Sequence, residues 1–300
     1  MTVKILDSSL AFKGEIDNFE SFFVSLVHGG MSSAQLTIGT NKNNVDLLTK
    51  GAYIYAGDDK KHLFIITENP KQYGKGGSIT KVVAYDVFWI LGGRLSNTGT
   101  TALSYSSKSV EYIIKDLIDK AVINPSDANR DISTISIAVN NDKGSTINAT
   151  VNQTYLDEDI KQLLAIDGLG LCGEYDSETP EISIDVYEGD DRSVGNGDGN
   201  SPVIFDVKFD NILSGEEKDS MTFVRNYAYI GGVSDAGARV IEEYGTETGI
   251  NRREMFVDGG DTDDETELEA TGKASVIDVE KGISVNANAM VGAFIYDEDY

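Results

Sequence analysis

The chain has 300 residues, 40% of them hydrophobic, so it has enough apolar material for real cores and enough length for two or three domains. Its 50 acidic residues outnumber 25 basic ones, which gives a formal net charge of −25. Because phosphate binding needs clustered cations, this charge argues against stable binding of nucleic acid or of anionic membranes.

The single cysteine and the short apolar runs narrow the class of protein further. Cys172 has no partner for an intrachain disulfide, so we expect a small buried thiol and a fold held by packing. Asp7 interrupts the amino-terminal apolar stretch, which argues against a signal peptide. The apolar cluster at 87–91 is far shorter than a membrane span. We therefore expect synthesis in a cytoplasm and no membrane insertion by this chain.

The first 105 residues are rich in β-branched and aromatic residues separated by glycine-containing turns, which is typical of strands. The predicted strands cover residues 3–6, 22–27, 34–38, 53–56, 62–67 and 79–91. Six closely spaced strands indicate a barrel or a sandwich. One helical turn is expected at 45–50, and Trp89, the only tryptophan, is expected to anchor the core.

Helical periodicity begins at residue 110 and marks a change of fold class. Apolar residues at helical spacing over 110–122 predict an amphipathic helix with Ser109 as its N-cap. Alternating patterns around it predict strands at 132–139, 169–176 and 181–187. Residues 106–190 are therefore expected to form an α+β insert between two β regions.

A second apolar series over 156–166 predicts another helix, which opens at Thr154 or Asp157 and stops at Gly168. The glycines of 168–173 match the pattern G-x-G-x-x-G. A dinucleotide site needs these glycines after a strand and at the start of a helix. Here they follow a helix and precede a strand, so the sequence predicts no cofactor.

The stretch from 182 to 258 contains the most informative residues. Apolar and polar residues alternate over 182–187 and 203–207, and aromatic residues are frequent over 221–229, which predicts half-buried antiparallel strands. A helical insertion is expected near 262–281.

Literal motifs in this stretch identify a family. The residues that carry the motifs are Tyr187, Gly189, Asp191, Arg192, Phe205, Phe209, Asp210, Asn211, Asn226, Tyr227, Gly231, Gly249, Arg252, Arg253, Glu254 and Phe256. Their combination resembles the tail-hub family of siphoviruses, the baseplate proteins that close long non-contractile phage tails. The resemblance extends over nearly the whole chain. Relatives continue beyond a motif like that at 296–300, which implies that a terminal domain of some relatives is absent here.

The resemblance implies a mainly β fold with an α+β insert. Its expected parts are a β-barrel domain at 1–105, the insert at 106–190, and a related second β-barrel domain at 191–300. It also implies a homotrimer, in which six barrels match the hexameric tail. The expected function is structural: the trimer joins the tail tube and distal tail ring to the tail tip and gates the DNA channel. The expected partners are the distal tail ring protein, the tape-measure protein and tail-tip proteins of a virion assembled in the host cytoplasm.

Eight motif residues are candidates for interface or structural roles. They are Asp191, Arg192, Asp210, Asn211, Asn226, Arg252, Arg253 and Glu254. In a strand, Arg252 and Glu254 share one face, while Arg253 lies on the other. Two roles remain open for these arginines. In the first, Arg252 and Arg253 form ion pairs across strands or subunits, since guanidinium groups suit carboxylates. In the second, Arg253 docks on a neighbouring subunit and fixes its register.

No catalytic, cofactor or metal site is predicted. His28 and His62 lie far apart in sequence and have no neighbouring nucleophile motif. The acidic stretches at 189–200 and 258–269 lack the ligand spacing of a calcium loop. We therefore expect a protein that is not an enzyme. The alternatives are a tail enzyme that degrades peptidoglycan or carbohydrate, and a host-receptor binding module, which a concentrated patch of exposed aromatic residues would favour.

Overall fold

The computed structural model describes residues 1–289 apart from 76, 205, 210–211, 221, 223, 234–238, 261 and 281–282. The chain divides into two compact units, Met1–Tyr187 and Glu188–Tyr300. Strand exceeds helix, at 36% against 22%, so the mainly β character is confirmed. The expected three-domain division stays a prediction.

Eight strands of unit 1 form one antiparallel sheet. They are β1 (Val3–Leu6), β2 (Phe12–Ile16), β3 (Ser21–Ser25), β4 (Ser33–Gly39), β5 (Tyr53–Ala56), β6 (Phe64–Glu68), β7 (Lys71–Gly74) and β8 (Gly77–Tyr85). The order is β2-β1-β5-β6-β8-β4-β3, and β7 pairs with β8. Alternate residues such as Ile5, Leu36, Ile54 and Phe64 point into a shared core, so the period of two seen in the sequence sets the buried face.

The connection between the two edge strands shows that this sheet is strongly curled. β2 and β3 lie at opposite ends of the strand order, yet residues 17–20 join them in the sequence. That link spans at most about 17 Å, whereas seven flat strands would separate the edges by about 29 Å. The edges therefore approach each other, although the described strands pair along an open path without closing a barrel.

The strand predicted over 79–91 is wrong in its second half. β8 ends at residue 85, and a short helix, α1 (Val87–Gly92), follows. Asp86 is its N-cap, since the carboxylate accepts a hydrogen bond from the backbone N–H of Phe88 at 3.0 Å. The helical turn buries Phe88 completely and leaves Trp89 44% exposed. Trp89 therefore does not anchor the core as predicted.

The rest of unit 1 contains the two predicted helices. Its elements are β9 (Leu103–Ser109), α2 (Val110–Ile118), β10 (Ile135–Ile137), β11 (Thr146–Val151), α3 (Leu156–Asp167), β12 (Leu169–Asp176) and β13 (Glu181–Glu188). Ser109 caps α2 as predicted, and Gly168 ends α3 in the left-handed conformation with φ of 65°. Neither Thr154 nor Asp157 caps α3, which begins after Tyr155 without a side-chain cap.

Cys172 lies on β12 as a half-buried free thiol. Burial raises its pKa to about 11, and the nearby carboxylates of Asp185 and Glu174 act in the same direction. Because the thiolate is the nucleophile, this thiol is a weak one at neutral pH. The position fits the packing role expected from the sequence.

The described residues of unit 2 form two small sheets and a helix. Its elements are β14 (Ile212–Asp219), β15 (Tyr227–Gly231), β16 (Ile241–Tyr244), β17 (Glu254–Asp258), α4 (Glu265–Glu280) and β18 (Ile283–Ala289). β14 pairs with β18, and β15 lies between β16 and β17. The strand predicted over 203–207 is not found, since 202–204 lie outside any strand and Val207–Phe209 is a 3-10 turn. Neither sheet closes into a barrel within the described residues.

Candidate functional site

The three-stranded sheet of unit 2 has one face packed on α4 and one face directed outward. Ala228 and Ile230 of β15 pack with Leu268 and Val276 of α4. Since side chains alternate along a strand, the intervening residues of β15 and their cross-strand partners lie on the other side. These residues are Tyr227, Tyr229, Ile241, Glu243, Glu254, Phe256 and Asp258. We call this the outer sheet face. Its apolar residues Ile241 and Phe256 are 44% and 56% exposed.

Arg252 is held over the outer sheet face by three residues. Its Cζ lies 3.3 Å from the centroid of the Tyr227 ring. Its Nε donates to Oε1 of Glu254 at 2.7 Å, and its Nη2 donates to the hydroxyl oxygen of Tyr229 at 2.5 Å. The Tyr227 hydroxyl in turn donates to Glu243 at 2.6 Å, which raises the pKa of Tyr227. Arg252 and Glu254 therefore share a face and form an ion pair, within one chain.

A second arginine lies over the same face. The guanidinium of Arg239 stacks on Phe256, with 5.1 Å between Cζ and the ring centroid, and forms an ion pair with Asp258. It also donates to the carbonyl oxygens of Gly231 and Gly232 at 2.9 and 3.1 Å. A Cβ at Gly231 would lie 2.5 Å from Arg239 Nε, so a side chain there would displace the guanidinium from this position. Sequence reasoning missed Arg239, and the only signal for it was the glycine pair after the aromatic strand.

Asn226 fixes the loop that carries the other motif residues. Its Oδ1 accepts from the backbone N–H of Arg253 at 2.8 Å, and its Nδ2 donates to the carbonyl oxygen of Asn251 at 3.0 Å. The side chain of Arg253 is exposed. The structure thus brings Asn226, Arg252, Arg253 and Glu254 together at one site, with Arg253 directed to solvent.

The remaining predicted residues are not part of this cluster as described. Asp191 accepts from the backbone N–H of Ser193 at 2.8 Å, and hydrogen bonds from Ser193 lower the pKa of that carboxyl group. The carbonyl oxygen of Arg192 accepts from Val203 at 3.0 Å. These bonds shape a local loop. Asp210 and Asn211 lie outside the described residues.

The other groups that the sequence singles out have packing explanations. His28 Nε2 bonds to the carbonyl oxygen of Gly168 at 2.8 Å, and His62 Nδ1 lies 2.8 Å from Asp59. A Cβ at Gly170 would lie 2.3 Å from the ring of Tyr187, which explains one glycine of the G-x-G-x-x-G pattern. Within the described part of the chain, no three His, Cys, Asp or Glu residues are placed to hold a metal ion. No helix described there is both long and apolar enough to cross a bilayer.

Three solved structures of tail proteins have a similar fold. A tail protein from Neisseria meningitidis MC58 aligns with a TM-score of 0.58 and 14% identity, over 95% of this chain and 79% of that one. The 43 kDa tail protein of prophage MuSo2 from Shewanella oneidensis gives 0.55 and 11%, over 96% and 82%. Prophage tail protein gp18 from Listeria monocytogenes EGD-e gives 0.53 and 12%, over 95% and 79%.

A family model matches the chain by sequence and assigns it to a family, whereas these distant structures show only a shared fold. No curated protein matches it by sequence. Residues 2–300 match the model of the siphovirus ReqiPepy6 Gp37-like protein, which is nearly the whole chain. The chain therefore belongs to the siphovirus ReqiPepy6 Gp37-like protein family and has a fold shared with phage tail proteins, as the sequence resemblance predicts.

Proposed function

We propose that this chain is a structural tail-hub protein that works as a homotrimer. Three copies surround the tail axis, join the tail tube and distal tail ring to the tail tip, and gate the DNA channel. Each copy contributes two barrel-type domains, so that six domains face the hexameric tail. The distal tail ring protein, the tape-measure protein and tail-tip proteins are its partners in the virion.

The observation that carries this proposal is the composition of the outer sheet face. Arginine, tyrosine and phenylalanine are enriched at protein interfaces and supply most of their binding energy. Arg252 and Arg239 are already held by aromatic rings and carboxylates, so little rotamer entropy is lost when a partner binds. This pre-ordered surface fits a subunit contact better than a catalytic site.

The charge of the chain supports a channel that does not retain DNA. A wall with clustered lysine and arginine would hold phosphates and release counterions. With a net charge of −25, the assembled hub repels the duplex on average and binds no nucleic acid stably. A tail enzyme remains the alternative, and turnover of peptidoglycan that one carboxylate substitution abolishes would favour it.

Replacing Phe256 with glutamate is expected to weaken trimer formation at least about tenfold in dissociation constant, because the exposed ring is lost from the proposed contact and a further negative charge is added to it. The matched control is Val194→Glu, which adds the same charge at an exposed apolar residue in the 189–200 loop. Sedimentation velocity over a concentration series measures both variants and the wild type. Equal trimer fractions for the two variants would show that the outer sheet face is not part of the trimer interface.

A further inference from the structure

A basic hairpin projects from one end of the sheet of unit 1. All four residues of β7 are exposed, and the ring of Tyr73 is 80% exposed. No acidic residue occurs between 69 and 85, while Lys71, Lys75 and Lys81 lie within that segment. A local excess of positive charge with a protruding aromatic ring is unusual in a chain of net charge −25.

A cleft of about 660 Å³ opens at another part of the same unit. Its apolar lining includes Met31, Phe88, Trp89 and Tyr155. Trp89 and Tyr155 are large aromatic residues with 44% and 56% of their surface exposed. Monomeric proteins rarely expose such residues together, and tryptophan and tyrosine in a pocket are typical anchors of protein interfaces.

The polar groups of the cleft complement the hairpin. Asp157 and Glu158, from the first turn of α3, line the cleft. Lys161 already donates to the Asp157 carboxylate at 2.7 Å, so Glu158 supplies the carboxylate for an incoming lysine side chain. Arg94 also lines the cleft, and its amino groups reach the carbonyl oxygens of Gly93 and Arg130 only at 3.4 Å. Hydrogen bonds of that length are weak. The guanidinium can therefore still donate to an oxygen of an incoming group.

The hairpin of one copy cannot reach its own cleft. Ile65, which lines the cleft, pairs with Tyr85 at the end of β8, and the hairpin turn adjoins Gly77 at the other end of that strand. Eight residues of extended strand separate these two points by about 26 Å. A protruding side chain and a cleft at opposite ends of β8 fit a cyclic trimer, because every contact in such a trimer joins two different surfaces.

We propose that the β7–β8 hairpin of one copy inserts Tyr73 into the cleft of the next copy. The ring packs against Trp89 and Tyr155, and the hydroxyl oxygen accepts a hydrogen bond from Arg94. Lys71 and Lys75 approach the carboxylate of Glu158. This inference rests on the proposed trimer, and it identifies the two unit 1 surfaces that neighbouring copies use to contact each other.

The test uses two full-length variants with opposite defects. Tyr73→Ser removes the side chain that inserts, and Trp89→Ala alters the cleft that receives it. Both side chains are exposed, so both variants are expected to fold. Each alone should lose at least about tenfold in trimer affinity. Mixed together, they should form heterodimers in native mass spectrometry, because an intact hairpin then meets an intact cleft. In the mixture the only tryptophan belongs to the Tyr73→Ser copy, so its emission should shift to shorter wavelength when the cleft fills.

The outcomes separate this contact from the proposed function. A trimer that both variants form as well as the wild type would overturn the hairpin contact and leave the hub proposal intact. A wild type that remains monomeric at all concentrations would overturn both. The host-receptor alternative is tested by adding N-acetylglucosamine oligomers to Tyr73→Ser alone. The Tyr73→Ser protein is titrated separately with the sugar and with Trp89→Ala protein. A shift of its tryptophan emission with the sugar, and no shift with the Trp89→Ala protein, would assign the cleft to a glycan and overturn the hairpin contact.

Discussion

Replacing Lys115 with methionine is expected to lower the free energy of unfolding of unit 1 by about 3–5 kcal/mol, because it leaves a buried carboxylate without its cation. The Lys115 ammonium donates to Glu111 at 2.6 Å, to Asp185 at 2.6 Å and to the carbonyl oxygen of Val139 at 2.8 Å. Glu111 is fully buried. Removing one partner of such a network costs more than the network contributes over an apolar equivalent.

This cluster joins three separate parts of unit 1. Lys115 and Glu111 lie on α2, Asp185 lies on β13, and the other Glu111 oxygen accepts the backbone N–H groups of Asn141 and Lys143 at 3.1 and 2.7 Å. The loss should therefore destabilise the whole α+β region. Trp89 is the only tryptophan and lies in this unit, so its fluorescence during urea denaturation measures the effect there.

Lys120→Met provides the matched control on the same stretch of chain. Lys120 pairs with Asp116, but its side chain is 45% exposed. Exposed pairs of this kind contribute at most about 1 kcal/mol. A Lys115→Met variant that unfolds at the same urea concentration as Lys120→Met would show that the buried network does not stabilise the fold.

Phe88 and Trp89 are neighbours with opposite expected effects. Phe88→Ala should cost about 3–5 kcal/mol, because a fully buried ring is removed and a cavity remains. Trp89→Ala should cost clearly less than Phe88→Ala, because Trp89 is 44% exposed and lines the surface cleft. Urea denaturation followed by far-ultraviolet circular dichroism measures both variants, since one of them lacks tryptophan. The reverse order of the two effects would contradict the helix at α1 and restore the strand predicted there.

The same pair shows where local sequence patterns stop being informative. A short apolar run such as 87–91 suits a buried strand and a buried helix equally well. Asp86 favours the helix over the strand because it caps the helix. Its carboxylate also accepts a hydrogen bond from the backbone N–H of Ser32 at 2.8 Å. That contact joins residues 54 positions apart and cannot be read from a window of sequence. The longer helices α2 and α3 were predictable because their apolar spacing repeats over several turns.

The candidate site was predictable in part for the same reason. Alternation places Arg252 and Glu254 on one side of a strand, as the structure shows. The contacts with Tyr227, Tyr229 and Arg239 depend on the parallel pairing of β15 with β17, which lie more than twenty residues apart. Register between distant strands is set by the packed sheet. The barrel expected at 1–105 likewise depends on how two edge strands approach, which strand count alone does not determine.

A reconstruction of the intact tail tip tests the central proposal most directly. We expect three copies of this chain around the tail axis, with the outer sheet face of each copy buried against a neighbour and six barrel-type domains facing the hexameric tail. A tip that contains six copies, or one copy off the axis, would contradict the trimeric hub.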